Sequence, residues 1–248
     1  MHPNVKRVKN MQSVFKRGEK KYLISSEQAR SIETMLFGHM IPDRGDYWVQ
    51  NLYFDNDNWD IVNTSMSKPY YKEKMRLRCY GSRESTNNVF LELKKKYAGI
   101  VYKRRIAMPM QSLDFPLEDV LAKDKSQIAR ELEFHIKSTQ VKQKMFISYQ
   151  RKALAGIGED SALRLTFDKN VRYRLNELNF SNPEKGQLVF PEDSVIMEIK
   201  TSLSIPMWLA RFLSENKIFG TSCSKYGTCF TDYWQNLSNT QERLITHV

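Results

Sequence analysis

The sequence predicts an α+β fold: an antiparallel β-sheet that rolls into a closed barrel, lined with cations and carrying its helices outside. Three observations lead there. Several stretches alternate charged and apolar residues with a period of two. Helical signals are confined to three inserts between those stretches. The alternating charged face is dominated by Lys and Arg. A chain of 248 residues is long enough for one large barrel with a sizeable core. Its 41% hydrophobic and 27% charged content is globular rather than disordered. There is no internal repeat or low-complexity linker. The candidate break, Gly156 to Asp160, is short enough for a hairpin loop, so residues 1–248 read as a single domain.

A first strand is expected from Lys16 to Ile24. Ser25 and Gln28 then have capping-box spacing, and Ile32, Met35 and Leu36 give the following helix an apolar face to about Phe37. Pro42 is expected to end that region. Strands are predicted at Val49–Asp55, Lys74–Gly81, Val89–Lys96 and Ile100–Pro109, followed by a helix from Leu117 to Lys137. Further strands fall at Lys144–Leu154, Leu163–Asn170 and Ser194–Thr201. A third helix is expected near Pro206, capped by Ser204, with Met207, Leu209, Phe212 and Leu213 as its core stripe, to about Glu215. From Gly220 onward the pattern assigns no element.

Charge narrows the function classes. Lys and Arg total 39 against 28 Asp and Glu, a formal net charge of +11. Such a chain attracts anions: nucleic acid, acidic membrane surfaces or phosphorylated small molecules. Cys79, Cys223 and Cys229 are odd in number and without CxxC spacing, which points to reduced thiols in the cytoplasm. No signal peptide or apolar run of membrane-spanning length is visible. No phosphate loop or dinucleotide fingerprint occurs, and the four His residues are scattered.

The arrangement of the charge is more selective than its sum. In the segment from Lys74 to Cys79, Lys74, Arg76 and Arg78 share one strand face while Met75, Leu77 and Cys79 take the other. Val89, Leu91 and Leu93 oppose Glu92, Lys94 and Lys96; Lys95 is expected to point outside. Arg164, Thr166 and Asp168 form a further polar face, as do Glu198 and Lys200. An ordinary antiparallel sheet with one wet face is the plain alternative. However, like charges facing each other destabilise a sheet, and a bound anion would neutralise them. Phosphate suits Arg forks and Lys point charges, and isolated carboxylates suit a hard divalent cation bridging to phosphate oxygens. On this reading, truncating Arg76 or Arg78 relieves repulsion and leaves the empty protein no less stable. Nucleic acid is the rival anion; Tyr70, Tyr71 and Tyr80 would allow stacking, but the carboxylates would repel a nucleic-acid backbone.

The segments EKKYLIS (Glu19–Ser25), NLYFDN (Asn51–Asn56), KMRLRCYG (Lys74–Gly81), FLELKKK (Phe90–Lys96), YKRRI (Tyr102–Ile106), SYQRKAL (Ser148–Leu154), LRLTFD (Leu163–Asp168), IMEIK (Ile196–Lys200) and CSKY (Cys223–Tyr226) occur in this order. Together they resemble the VTC domain, the polyphosphate polymerase domain of the vacuolar transporter chaperone complex and a branch of the triphosphate tunnel metalloenzymes. The resemblance runs from about residue 14 to 234. It implies an eight-stranded antiparallel tunnel, ATP, triphosphate or polyphosphate as ligand, and Mn²⁺ or Mg²⁺ as cofactor. The implied reaction moves the ATP γ-phosphoryl group to a growing polyphosphate chain. Hydrolysis of inorganic triphosphate, and phosphate-chain or nucleotide binding without turnover, use the same lumen and remain alternatives. Carried onto matching positions, the catalytic grip is Lys21, Arg76, Arg78, Lys94, Lys103, Tyr149, Arg151 and Lys225. Arg164 and Lys200 join as further phosphate contacts, Glu198 is the implied metal ligand, and Glu19 and Glu92 point the same way by parity. Position 17 is Arg, where the adenylate cyclase and thiamine triphosphatase branch has an ExExK glutamate; this departure fits the VTC branch better. The resemblance is to a free-standing bacterial form with no membrane span of its own, and a membrane partner for the product is compatible with it.

Overall fold

The computed structural model describes residues 18–81, 86–202 and 204–245, with side chains described to residue 239. The predicted start of the first strand, at Lys16 and Arg17, lies outside the described residues. The strands are β1 (Gly18–Ser25), β2 (Met40–Asp55), β3 (Tyr71–Tyr80), β4 (Asn88–Tyr97), β5 (Ile100–Pro109), β6 (Lys142–Gly156), β7 (Leu163–Arg174), β8 (Gln187–Leu188) and β9 (Ser194–Thr201). The helices are α1 (Ser26–Met35), α2 (Asp60–Met66), α3 (Leu117–Ala122), α4 (Gln127–Thr139), α5 (Met207–Glu215) and α6 (Lys225–Ile245).

All strand pairs are antiparallel, in the order β1-β9-β7-β6-β2-β3-β4-β5, with β8 added to β7. The sheet differs from the expected closed barrel in one respect: no hydrogen-bonded pairing joins β1 to β5 among the described residues. The free edge of β1 is used instead by the segment before α6, where the Thr221 N–H donates to the Lys21 carbonyl at 2.7 Å. The sheet still curls. Lys94 of β4 lies within electrostatic reach of Glu19 and Lys21 of β1 and of Glu198 of β9, so the polar face is concave.

The apolar residues of the alternation form the convex face. Met75, Leu77, Leu91 and Leu93 pack against Leu121, Leu132 and Ile136 of α3 and α4. Leu165, Phe167, Met197 and Ile199 pack against Ile32 of α1 and Leu209 and Leu213 of α5. A third cluster lies on the concave side, where Val49, Tyr53, Ile147 and Ile196 meet Tyr226, Cys229 and Phe230 of α6. The last helix thus fills part of the concavity and carries Lys225 into it.

Local chemistry explains the agreements and the differences. Ser25 and Gln28 form the expected capping box, with Gln28 N–H to Ser25 Oγ at 3.1 Å and Ser25 N–H to Gln28 Oε1 at 3.0 Å. The single helix expected over 117–137 is two, because Ser126 caps a new start by accepting from Ala129 N–H. Pro42 does not end a region: it lies within β2 beside a register shift, where a missing N–H is tolerated. Pro206 occupies the cap position of α5, with no side-chain cap from Ser204. Gly156 and Asp160 do mark a hairpin, between β6 and β7; a Cβ at Gly156 would collide with the Asp160 carbonyl.

Candidate functional site

Three clusters of charge line the concave face. The first surrounds Glu92, which is 1% exposed. Arg76 donates to its Oε2 through Nε at 2.9 Å, with Nη2 at 2.8 Å. Lys103 Nζ and Arg105 Nε approach Oε1 at 2.7 and 3.0 Å. Arg78 stands 3.8 Å away and is aimed by Asn51 Oδ1, which accepts from its Nε at 3.0 Å. Tyr53 OH accepts from Arg76 Nη1. Burial opposes ionisation of Glu92, but Arg76, Arg78 and Lys103 outweigh it and hold the carboxyl well below the usual range. Both oxygens of Glu92 are thereby taken by cations. The expectation that losing Arg76 relieves repulsion does not fit this geometry, because Arg76 is a two-pronged counter-charge of a buried carboxylate.

The second cluster surrounds Asp168, which is fully buried. Arg151 grips it with a fork, at 2.6 and 2.7 Å, and Lys225 Nζ lies 2.6 Å from Oδ2. The Tyr149 ring lies beneath, 5.2 Å from the Arg151 guanidinium carbon and 4.6 Å from the Lys225 ammonium. Burial raises the Tyr149 pKa, but Arg151 and Arg78 outweigh it and the net shift is downward.

The third cluster surrounds Glu198, 6% exposed, opposite Lys21 in the β1–β9 register. Lys200 Nζ is 3.1 Å from Glu198 Oε1 and Arg151 Nη2 is 3.8 Å from Oε2. Burial raises the Glu198 pKa; the neighbouring Glu19 carboxyl and the charges of Lys200, Lys21 and Lys225 outweigh it and depress it strongly. Lys21 also reaches Glu19 at 3.4 Å and donates to the Cys223 carbonyl at 3.2 Å. Thr166, directly opposite Glu198 on β7, has a buried Oγ1 without a hydrogen-bond partner.

Beside Glu19 and Lys21 of the third cluster opens a cavity of about 520 Å³, lined also by Lys74, Lys94, Glu73 and the segment before α6. Lys74 donates to Ser224 Oγ at 2.8 Å. Burial, reinforced by Lys72, Lys21, Lys94 and Arg76, pulls its pKa down to about 7. Lys94 projects into the cavity, accessible to solvent yet ringed by protein. Enclosure lowers its pKa, Glu19 opposes the drop, and Lys21 and Arg76 add to it.

Of the thirteen residues singled out in the sequence, twelve face this concavity: Lys21, Arg76, Arg78, Lys94, Lys103, Tyr149, Arg151, Lys200, Lys225, Glu19, Glu92 and Glu198. Arg164 has the right parity but lies at the rim, half exposed and paired with Asp43. Sequence reasoning did not single out Asn51, Tyr53 and Arg105, although the parity of Arg105 with Lys103 marks its face. It set Lys74 and Asp168 on charged faces without assigning either a role.

The sequence profile of the VTC domain matches residues 16–232. The chain belongs to the VTC domain family. No curated protein matches it. Among solved structures, a candidate adenylate cyclase from Bacillus halodurans superimposes with a TM-score of 0.51 at 15% identity, over 86% of this chain and 96% of that one. A Hippeastrum protein, described as an adenylyl cyclase candidate with a dominant triphosphatase activity, gives 0.50 at 16% identity, over 86% and 95%. The VTC-family chain therefore shares their fold. Among its described residues no helix is long and apolar enough to cross a membrane, and no three His, Cys, Asp or Glu side chains cluster as a ready metal site.

Proposed function

We propose that this VTC-family chain is a metal-dependent phosphotransferase that holds the triphosphate of ATP in the concave face and passes its γ-phosphoryl group to the end of a polyphosphate chain. The observation that carries this reading is the directly opposed lysine pair Lys74 and Lys94, neither of them ion-paired to a carboxylate among the described residues, beside the arginine clusters. Cations so placed need an anion, and a linear phosphate chain would meet Lys21 of β1 and Lys94 and Lys103 of β4 and β5 at once. Bound there, it would bridge the gap between the two edge strands and turn the concavity into a tunnel.

A terminal oxygen of the acceptor attacks the γ-phosphorus while the bond to the β–γ bridging oxygen breaks, and ADP leaves. The protein supplies position and charge. Arg76 and Arg78 are aimed in advance by Tyr53, Asn51 and Glu92. Arg151 and Lys225 are held by Asp168.

A hard divalent cation fits the oxygen set at Glu198, Glu19 and the orphaned Thr166 Oγ1. With fewer than three acidic ligands gathered, its remaining ligands would be phosphate oxygens and water. When bound, Mn²⁺ or Mg²⁺ would supply charge neutralisation on the phosphate oxygens.

Hydrolysis of inorganic triphosphate is the second reading, favoured by the triphosphatase activity described for the Hippeastrum structural neighbour. Product analysis after incubation with Mn²⁺ and either ATP or inorganic triphosphate separates the readings. Long-chain polyphosphate together with ADP supports the polymerase, orthophosphate released from triphosphate without chain growth supports the hydrolase, and both substrates left intact overturn both.

A further inference from the structure

The lysine ladder does not stop at Lys74 and Lys94. The next rung outward on the same strand pair is Lys72 opposite Lys96, and both line the same cavity. Among the described residues, no carboxylate lies within ion-pair distance of Lys72, Lys74, Lys94 or Lys96. The two glutamates that also line this cavity are engaged by other partners: Glu19 by Lys21 at 3.4 Å, and Glu73 by Tyr71 OH at 2.6 Å and His135 at 3.4 Å. Lys72 donates to the Ser65 carbonyl at 3.3 Å, an uncharged partner. Burial and the proximity of Lys96 and Lys68 lower its pKa.

This contrasts with the rung one step inward, where Arg76 faces Glu92 and the cations are already compensated. A merely solvated strand face has no reason to place two consecutive lysine pairs opposite each other, since each pair costs stability. From the Arg76–Glu92 rung to the Lys72–Lys96 rung the strands advance four residues, about 13 Å. That is more than three linked phosphates cover.

We propose that Lys72 and Lys96 form an outer extension of the phosphate path, a subsite that contacts polyphosphate beyond its first three phosphates and makes the protein prefer long chains over triphosphate. This inference rests on the phosphate-chain reading above. It predicts a specificity that triphosphate hydrolysis would not need.

The test compares tripolyphosphate, a long-chain polyphosphate and a single-stranded oligonucleotide of matched charge, by calorimetry on the wild type and on Lys72→Gln/Lys96→Gln. In the double variant, long-chain affinity should fall about tenfold, with a shallower salt dependence, by about one to two in log–log slope. Tripolyphosphate affinity should stay within about twofold. The melting temperature should not drop, because opposed like charges are being removed. If the pair of changes disturbs the fold, Lys96→Gln alone, at a solvent-exposed position, carries the same test at about threefold. Unchanged long-chain binding, or equal losses for both phosphates, would overturn the extension while leaving the phosphate-chain site standing. An oligonucleotide that binds as tightly as polyphosphate and loses as much would reassign the lysines to nucleic acid. A wild type that binds neither phosphate brings down the functional reading itself.

Discussion

Two glutamates on one concave face have opposite expected roles, and their surroundings decide which is which. Glu92 has four cations around it and no free oxygen. Glu92→Gln would leave Arg76, Arg78, Lys103 and Arg105 facing one another, at a cost of about 3–5 kcal/mol, read as a lowered melting temperature that tripolyphosphate partly restores. Its folded pKa is depressed, so its contribution is present above the ordinary carboxylate value and lost as pH falls through the folded one. Glu198 also has cations beside it, Lys200 at 3.1 Å and Arg151 at 3.8 Å, but it neighbours a second carboxyl, Glu19, and faces an unpartnered hydroxyl. Glu198→Gln is expected to keep the fold but to abolish Mn²⁺ binding measured in the presence of tripolyphosphate; undiminished metal affinity would remove Glu198 as a ligand. Lys74, pulled down to about 7, gives a pH signature. Protonation there costs stability, so through this group the empty protein gains stability as pH rises from about 7 toward the ordinary lysine value. An incoming phosphate chain favours the charged form. Tripolyphosphate binding should take up a proton near pH 7–8 and weaken above it. Lys74→Arg, always charged, should flatten that dependence relative to the wild type in calorimetry across buffers of different ionisation enthalpy.

Among the elements, α2 and α6 depend on one buried side chain. Asp55, at the end of β2, accepts the backbone N–H groups of Asn56, Ile61 and Val62, each at 3.0 Å, and the Tyr226 hydroxyl at 2.8 Å. It thus does for α2 what the left-handed Trp59 at its cap does not. It also ties α2 to the start of α6, where the Tyr226 ring stacks on Tyr53 at 4.4 Å. Lys225 sits one residue before this anchor, so the position of the cation depends on the packing of the aromatic. Tyr226→Phe keeps the stack but removes a donor to a buried carboxylate. It should cost about 1.5–3 kcal/mol and weaken tripolyphosphate binding as well. A variant with unchanged affinity would show that Lys225 is held by Asp168 alone. The sequence shows β3, β4 and β9 through their strict alternation and α1 through its capping box. It is silent on α2, whose seven residues are too few for a periodic signal, and on α6, whose apolar stripe packs against a sheet made by distant strands.

For the whole molecule, the excess of positive charge is partitioned rather than spread. Arginines are compensated around Glu92 and Asp168, whereas Lys72, Lys74, Lys94 and Lys96 have no ion-pair partner among the described residues. A polyanion that completes the second group should stabilise the fold by about 2.7 kcal/mol at a hundredfold excess over Kd, roughly 5–10 °C in a chain of this size. The shift should shrink with added salt; no shift, or an equal one with sulfate, would count against a chain-specific site. The faces are legible without the fold: side chains alternate along a strand regardless of what lies beyond it, so Arg76, Arg78, Lys94 and Glu198 fall on one side. Which charges neutralise each other follows from the fold alone, because the register that sets Arg76 against Glu92 and Lys74 against Lys94 is fixed by pairing between two separate strands. The meeting of Lys225 with Asp168 spans 57 residues of chain, from Asp168 on β7 to the start of α6. The fold also decides that β1 offers its edge to Thr221 rather than to β5, since an edge strand pairs with whichever backbone the packing of the chain brings within reach.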